Sequence, residues 1–113
     1  MREFTREEVE TIARKCGIPI NDKYDDIEPK GPQIVRGILM DEDGVFVGPF
    51  GNNPDTFDVV IRSRAFKDGW CLFKVAGIGW QQWAVLDRED NRMSSLHESP
   101  TTAVLEAVLE GGK

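Results

Sequence analysis

The chain has 113 residues, a net charge of −6 and a balance of 40% hydrophobic to 30% charged residues, which describes one ordinary globular domain that needs no metal or disulfide to reach a workable core. Excess negative charge opposes a general grip on nucleic acid, because phosphate binding is driven by lysine and arginine, and it favours a basic partner. The longest apolar runs, such as Val59-Val60-Ile61, are too short to span a bilayer, and no secretory h-region follows Met1. A cytoplasmic protein with two free thiols, Cys16 and Cys71, is expected.

The first helix is announced by its caps. Thr5 with Glu8 makes a capping box, and Phe4 with Val9 has the spacing of a hydrophobic staple. Val9, Ile12, Ala13 and Cys16 form one apolar stripe. Gly17 then offers a left-handed cap and Pro19 forbids continuation, so the helix runs from about Arg6 to Cys16. Residues 19–32 carry three prolines among Asp22, Lys23, Asp25, Asp26 and Glu28, and read as a long surface connection.

Gln33–Met40 reads as a strand, Asp41-Glu42-Asp43-Gly44 as a hairpin turn, and Val45–Phe50 as the return strand, with Pro49 best placed on an edge or at a bulge. Gly51-Asn52-Asn53-Pro54-Asp55 reads as a loop. Thr56–Arg64 alternates cleanly, with Phe57, Val59 and Ile61 on one side and Val60, Arg62 and Arg64 on the other, and predicts a strand. Trp70–Val75 and Trp80–Asp87 predict two more strands around Gly77-Ile78-Gly79. Asp87–Ser99 is a polar loop, and Ser99-Pro100 opens a final helix buried through Val104, Leu105, Val108 and Leu109. The expected fold is a single α+β domain of two layers, in which about five meandering antiparallel strands carry both terminal helices on one face.

No constellation for catalysis, cofactor or metal emerges. His97 stands alone, and the nearby Glu98, Ser94, Ser95 and Ser99 are only neighbours in sequence. A calcium loop starting at Asp41 would need a bidentate glutamate at about its twelfth position, where Asn52 stands. Two cysteines and one histidine make no zinc set, and both cysteines fall on apolar stripes, so core thiols are expected. Gly77-Ile78-Gly79-Trp80 lacks the third glycine of a phosphate loop.

Three tryptophans remain. Trp80 and Trp83, three apart in one strand, must face opposite ways, so part of the set Trp70, Trp80, Trp83 lies away from the helix layer. Beside it the expected open face carries Arg36, Arg62, Arg64 and Lys74. Tryptophan with arginine is the composition of binding hot spots.

The opening Phe4-Thr5-Arg6-Glu7-Glu8-Val9-Glu10-Thr11-Ile12-Ala13-Arg14-Lys15-Cys16-Gly17-Ile18 resembles that of small phage- and prophage-encoded accessory proteins, over the first helix alone. The resemblance implies a host-takeover or anti-defence inhibitor, such as an anti-CRISPR, that occludes a surface. In that setting Asp22, Asp25, Asp26, Asp41, Glu42 and Asp43 would imitate a phosphate backbone. The expected function is therefore a non-catalytic protein-binding module, monomeric or homodimeric, whose partner is basic or binds nucleic acid. Single-stranded nucleic acid stacking on the open sheet is one alternative. A small enzyme using His97 is another.

Overall fold

The computed structural model describes residues 3–21, 32–41 and 43–111, leaving aside the side chain of Asn52. The α+β class and, among the described residues, a total of five antiparallel strands are as expected, but the strands divide between two sheets. Helix α1 (Arg6–Cys16) has both halves of its capping box: Glu8 N–H donates to Thr5 Oγ1 at 3.2 Å and Thr5 N–H to Glu8 Oε1 at 3.0 Å. Gly17 closes it in the left-handed region at φ 73°, with Ile18 N–H returning to Ala13 O.

The predicted strand over Gln33–Met40 is itself a hairpin. Strands β1 (Gln33–Val35) and β2 (Ile38–Met40) are joined by Arg36 and Gly37 at φ 51° and 79°, the double positive φ of a type I′ turn. Arg36 thus sits in a turn and not on a sheet face. Strand β3 (Phe46–Pro49) pairs with β2 on the outside of the order β1-β2-β3, which gives Pro49 an edge position. Ile20, just after α1, bridges to Ile34 in parallel on the other side.

The largest correction falls on Thr56–Arg64, which is helical as far as Ile61 and a turn beyond it, and not a strand. After a 3-10 turn at Phe50–Asn52, helix α2 spans Pro54–Ile61. Asn53 caps it by accepting the Asp55 N–H at 3.0 Å, Pro54 stands at the first turn, and the buried Thr56 and Val60 are one turn apart. Thr56 Oγ1 donates to Phe50 O at 2.7 Å, tying the helix to the turn before it.

Strands β4 (Cys71–Gly77) and β5 (Trp80–Leu86) form a regular hairpin. The loop after β5 is less free than a polar loop should be. It returns along the far side of β5, with bridges Leu86–Arg92 and Trp83–His97.

Helix α3 (Pro100–Gly111) is the centre of the molecule. It touches α1, α2, the 3-10 turn and β5, and every residue from Thr101 to Val108 is buried. The expected one-sided stripe is thus buried on all sides, the mark of a core helix. Fully buried aliphatic side chains such as Ile12, Val60, Val85 and Leu105 meet here, each contributing ~1.5–3 kcal/mol. Lys15 of α1 donates from Nζ to the carbonyls of Val108 (3.2 Å) and Leu109 (2.8 Å), capping the end of α3.

Candidate interaction surface

Pairing along the β4–β5 hairpin sorts its side chains by face. Leu72 with Val85 and Lys74 with Trp83 lie on the inner face, where Leu72, Val85 and Trp83 join the core. Cys71, Phe73, Val75, Trp80 and Leu86 lie on the outer face. Trp80 and Trp83 do take opposite faces, and only Trp80 is exposed, at 52%. Phe73 is 45% exposed and Ile78, in the two-residue turn, is wholly in solvent. The Trp80 indole lies across Gly77, where a Cβ would come within 2.5 Å of Nε1. Any larger residue at that position displaces the ring.

The other tryptophans are half-buried against the core. Trp70 meets Phe66 edge-on at 5.5 Å and packs on the core. Trp83 carries the Lys74 ammonium at 5.5 Å over its ring, while its own buried Nε1 has no hydrogen-bond partner among the described residues.

Arg62 and Arg64 are exposed in the turn that follows α2, so they do not share a sheet face with the tryptophans as expected. Of the three clefts that Arg62 lines, two carry further charged side chains. One, of about 340 Å³, is lined by Asp41, Asp43, Asp55 and Arg62 together with apolar residues. The other, of about 410 Å³, is lined by Arg62, Ser63, Arg64, Phe66, Lys67 and Asp68. Asp41 is bound up in its own turn, its Oδ1 accepting the N–H groups of Asp43 and Val45 at 2.9 Å each. Asp22, Asp25, Asp26 and Glu42 lie outside the described residues.

Cys71 contradicts the expectation of two core thiols, because it is exposed on the outer face. Cys16 is half-buried against the core, and burial pushes its thiol up, with a hydrogen bond to Ser63 working the other way. Among the described residues no group of three or more metal-binding side chains forms, and no helix is long and apolar enough to cross a membrane.

His97 has a partner that spacing did not suggest. Its Nε2 lies 2.7 Å from Oε2 of Glu106, a buried carboxylate on α3. This has the form of a base with its orienting acid. However, Ser94 Oγ accepts the Val85 N–H and donates to Ser95 O, and Ser99 Oγ accepts the Thr102 N–H at the cap of α3. Neither His97 nor Glu106 lines any of five surface clefts. Among the described residues the two form a hydrogen-bonded pair, and Glu106 also holds the Ser95 N–H.

Reasoning from sequence missed Phe73, Ile78 and Glu106. Each left a signal: Ile78 is an apolar residue in a turn, where polar ones are usual, and Glu106 is a lone charge inside an apolar run, while Phe73 stands in clean alternation with Leu72 and Lys74. Compared with known protein families, curated proteins and solved structures, the chain matches none of them.

Proposed function

We propose that the protein is a non-catalytic protein-binding module and that the β4–β5 hairpin is its contact surface. One observation carries this reading: Phe73, Ile78 and Trp80 are all exposed on a single hairpin of two seven-residue strands. Aromatic and aliphatic side chains held on a regular hairpin make a preorganised anchor, and preorganisation lowers the entropy cost of binding. The cleft that Phe66 shares with Arg62, Arg64, Lys67 and Asp68 adjoins Trp70, the residue before β4, and supplies charge of both signs there. The resemblance of α1 to phage accessory proteins suits an inhibitor that occludes a surface of its target.

Paired variants test this reading. Ile78→Asp and Trp80→Asp should leave the melting temperature within about 3 °C and abolish capture of the partner that the wild-type chain retains. Glu7→Lys, on the exposed side of α1, should leave capture unchanged. Loss with the α1 variant, or retention with both hairpin variants, would move the contact surface elsewhere. The enzyme alternative has its own check, since it requires His97→Ala to remove a biological activity that Ile78→Asp spares.

A further inference from the structure

Strand β4 is the edge of its sheet, and among the described residues it pairs with β5 alone. The far side of β5 shows which way its free groups point. Trp83 donates to His97 O at 2.6 Å and accepts from His97 N–H at 2.9 Å. Val85 O accepts from Met93 N–H and Val85 N–H donates to Ser94 Oγ. Both residues therefore turn their backbone groups away from β4. In an antiparallel pair, residues opposite such positions do the same, and the pattern alternates along the strand. Leu72, Lys74 and Ala76, opposite Val85, Trp83 and Gln81, thus direct their N–H and C=O groups to the free edge. An edge of this kind is a template for one more strand.

Charge narrows the choice of occupant. From Arg62 to Arg88 the chain carries five basic and two acidic side chains, although the whole has a net charge of −6. Arg62, Arg64 and Lys67 outnumber Asp68 in one cleft that Phe66 also lines, and Phe66 packs on Trp70, the residue before β4. The basic cleft therefore adjoins the start of the free edge. A second copy fits poorly, because two-fold pairing about the middle of β4 sets Lys74 against its own equivalent. A polynucleotide has no peptide ladder to offer the edge.

We propose that β4 takes up an extended acidic segment of a protein partner as an added strand. The segment's main chain pairs with Leu72, Lys74 and Ala76, and its apolar side chains flank Phe73 and Val75. Its carboxylates face Lys74 and the cleft of Arg62, Arg64 and Lys67. The inference rests on the hairpin being the contact surface and adds the form of what binds there.

The test uses the full chain and a fluorescein-labelled peptide of about ten residues, valine alternating with threonine and glutamates at both ends. Fluorescence anisotropy should show saturable binding. N-methylating alternate amides, or replacing the glutamates by lysine, should each weaken binding at least about tenfold. Ala76→Pro removes an outward N–H without touching the ladder to β5, so it should weaken binding by a similar factor at an unchanged melting temperature. Should that variant fail to fold, the N-methylated peptide decides the matter alone.

Absent binding, equal binding of the N-methylated peptide, or tighter binding of an oligothymidylate would overturn the proposal. So would a dimer in sedimentation that Ala76→Pro dissociates. Partner capture lost with Ile78→Asp but kept with Ala76→Pro would discard strand addition and leave the hairpin reading standing.

Discussion

Glu106 holds His97 Nε2 at 2.7 Å through one carboxylate oxygen and the Ser95 N–H at 2.7 Å through the other. A charged side chain on the most buried helix thereby fixes the segment that runs along the far side of β5. That segment in turn satisfies Trp83 and Val85, which leaves β4 as the free edge of the hairpin.

The contact should therefore be worth more than a surface pair. With the carboxylate 5% exposed and the imidazole 15%, removing either partner strands the other away from water. His97→Ala and Glu106→Ala are each expected to cost ~2–4 kcal/mol in urea unfolding, and a double-mutant cycle should show a coupling of ~1.5–3 kcal/mol. A coupling below about 0.5 kcal/mol would reduce the contact to an incidental one.

Helix α2 gives a second expectation. Asn53→Ala removes the oxygen that receives the Asp55 N–H and should cost ~1 kcal/mol. Thr56→Val keeps the shape but leaves the buried Phe50 carbonyl without its 2.7 Å donor, at a cost of ~1–2 kcal/mol. Neutral results at both positions would be inconsistent with a capped helix and would restore the extended reading of this segment.

The reason α2 was not legible is physical. Phe57, Val59 and Ile61 alternate, and β-branched residues favour strands, so periodicity pointed one way while Asn53-Pro54-Asp55, a good helix start, pointed the other. The caps and the packing of Thr56 and Val60 prevailed. Helix α1 was legible to the residue because its signals are local, from Thr5 to Gly17. The faces of β4 and β5 followed from alternation alone. What could not be read was long-range: that α3 is surrounded, that Glu106 meets His97, and that Arg62 leaves the tryptophans to join Asp41 and Asp43 at one cleft.

The two thiols should separate cleanly in reactivity. Cys71 is exposed and should react readily with a thiol reagent in the native state, whereas half-buried Cys16 should react more slowly. Burial raises the folded Cys16 thiol above its ordinary value, so its contribution to stability is complete below that value and is lost as pH rises through the folded one. The stability difference between wild type and Cys16→Ala should accordingly shrink in alkali. Equal labelling rates for the two thiols would contradict the packing of α1.

Asp87 provides the acid-side counterpart at the turn that feeds the bridged segment. Its Oδ1 accepts the N–H groups of Asn91 at 2.9 Å and Glu89 at 2.8 Å, and its Oδ2 accepts Asn91 Nδ2 at 3.2 Å. The Asn91 amide foremost pulls its carboxyl below the ordinary value; burial, the next effect in size, works the other way and is outweighed with the help of the Glu89 amide and the Asn91 side chain. A depressed folded value means that the folded state favours the ionised form. Its contribution is therefore present above the ordinary carboxylate value and disappears as pH falls through the folded one. Asp87→Asn keeps the size of the side chain and removes the charge. Stability curves of wild type and variant should stand apart at neutral pH and converge in acid, with the wild type the more stable wherever they differ. A gap that persists unchanged into acid would show that the turn is held by shape and not by the carboxylate.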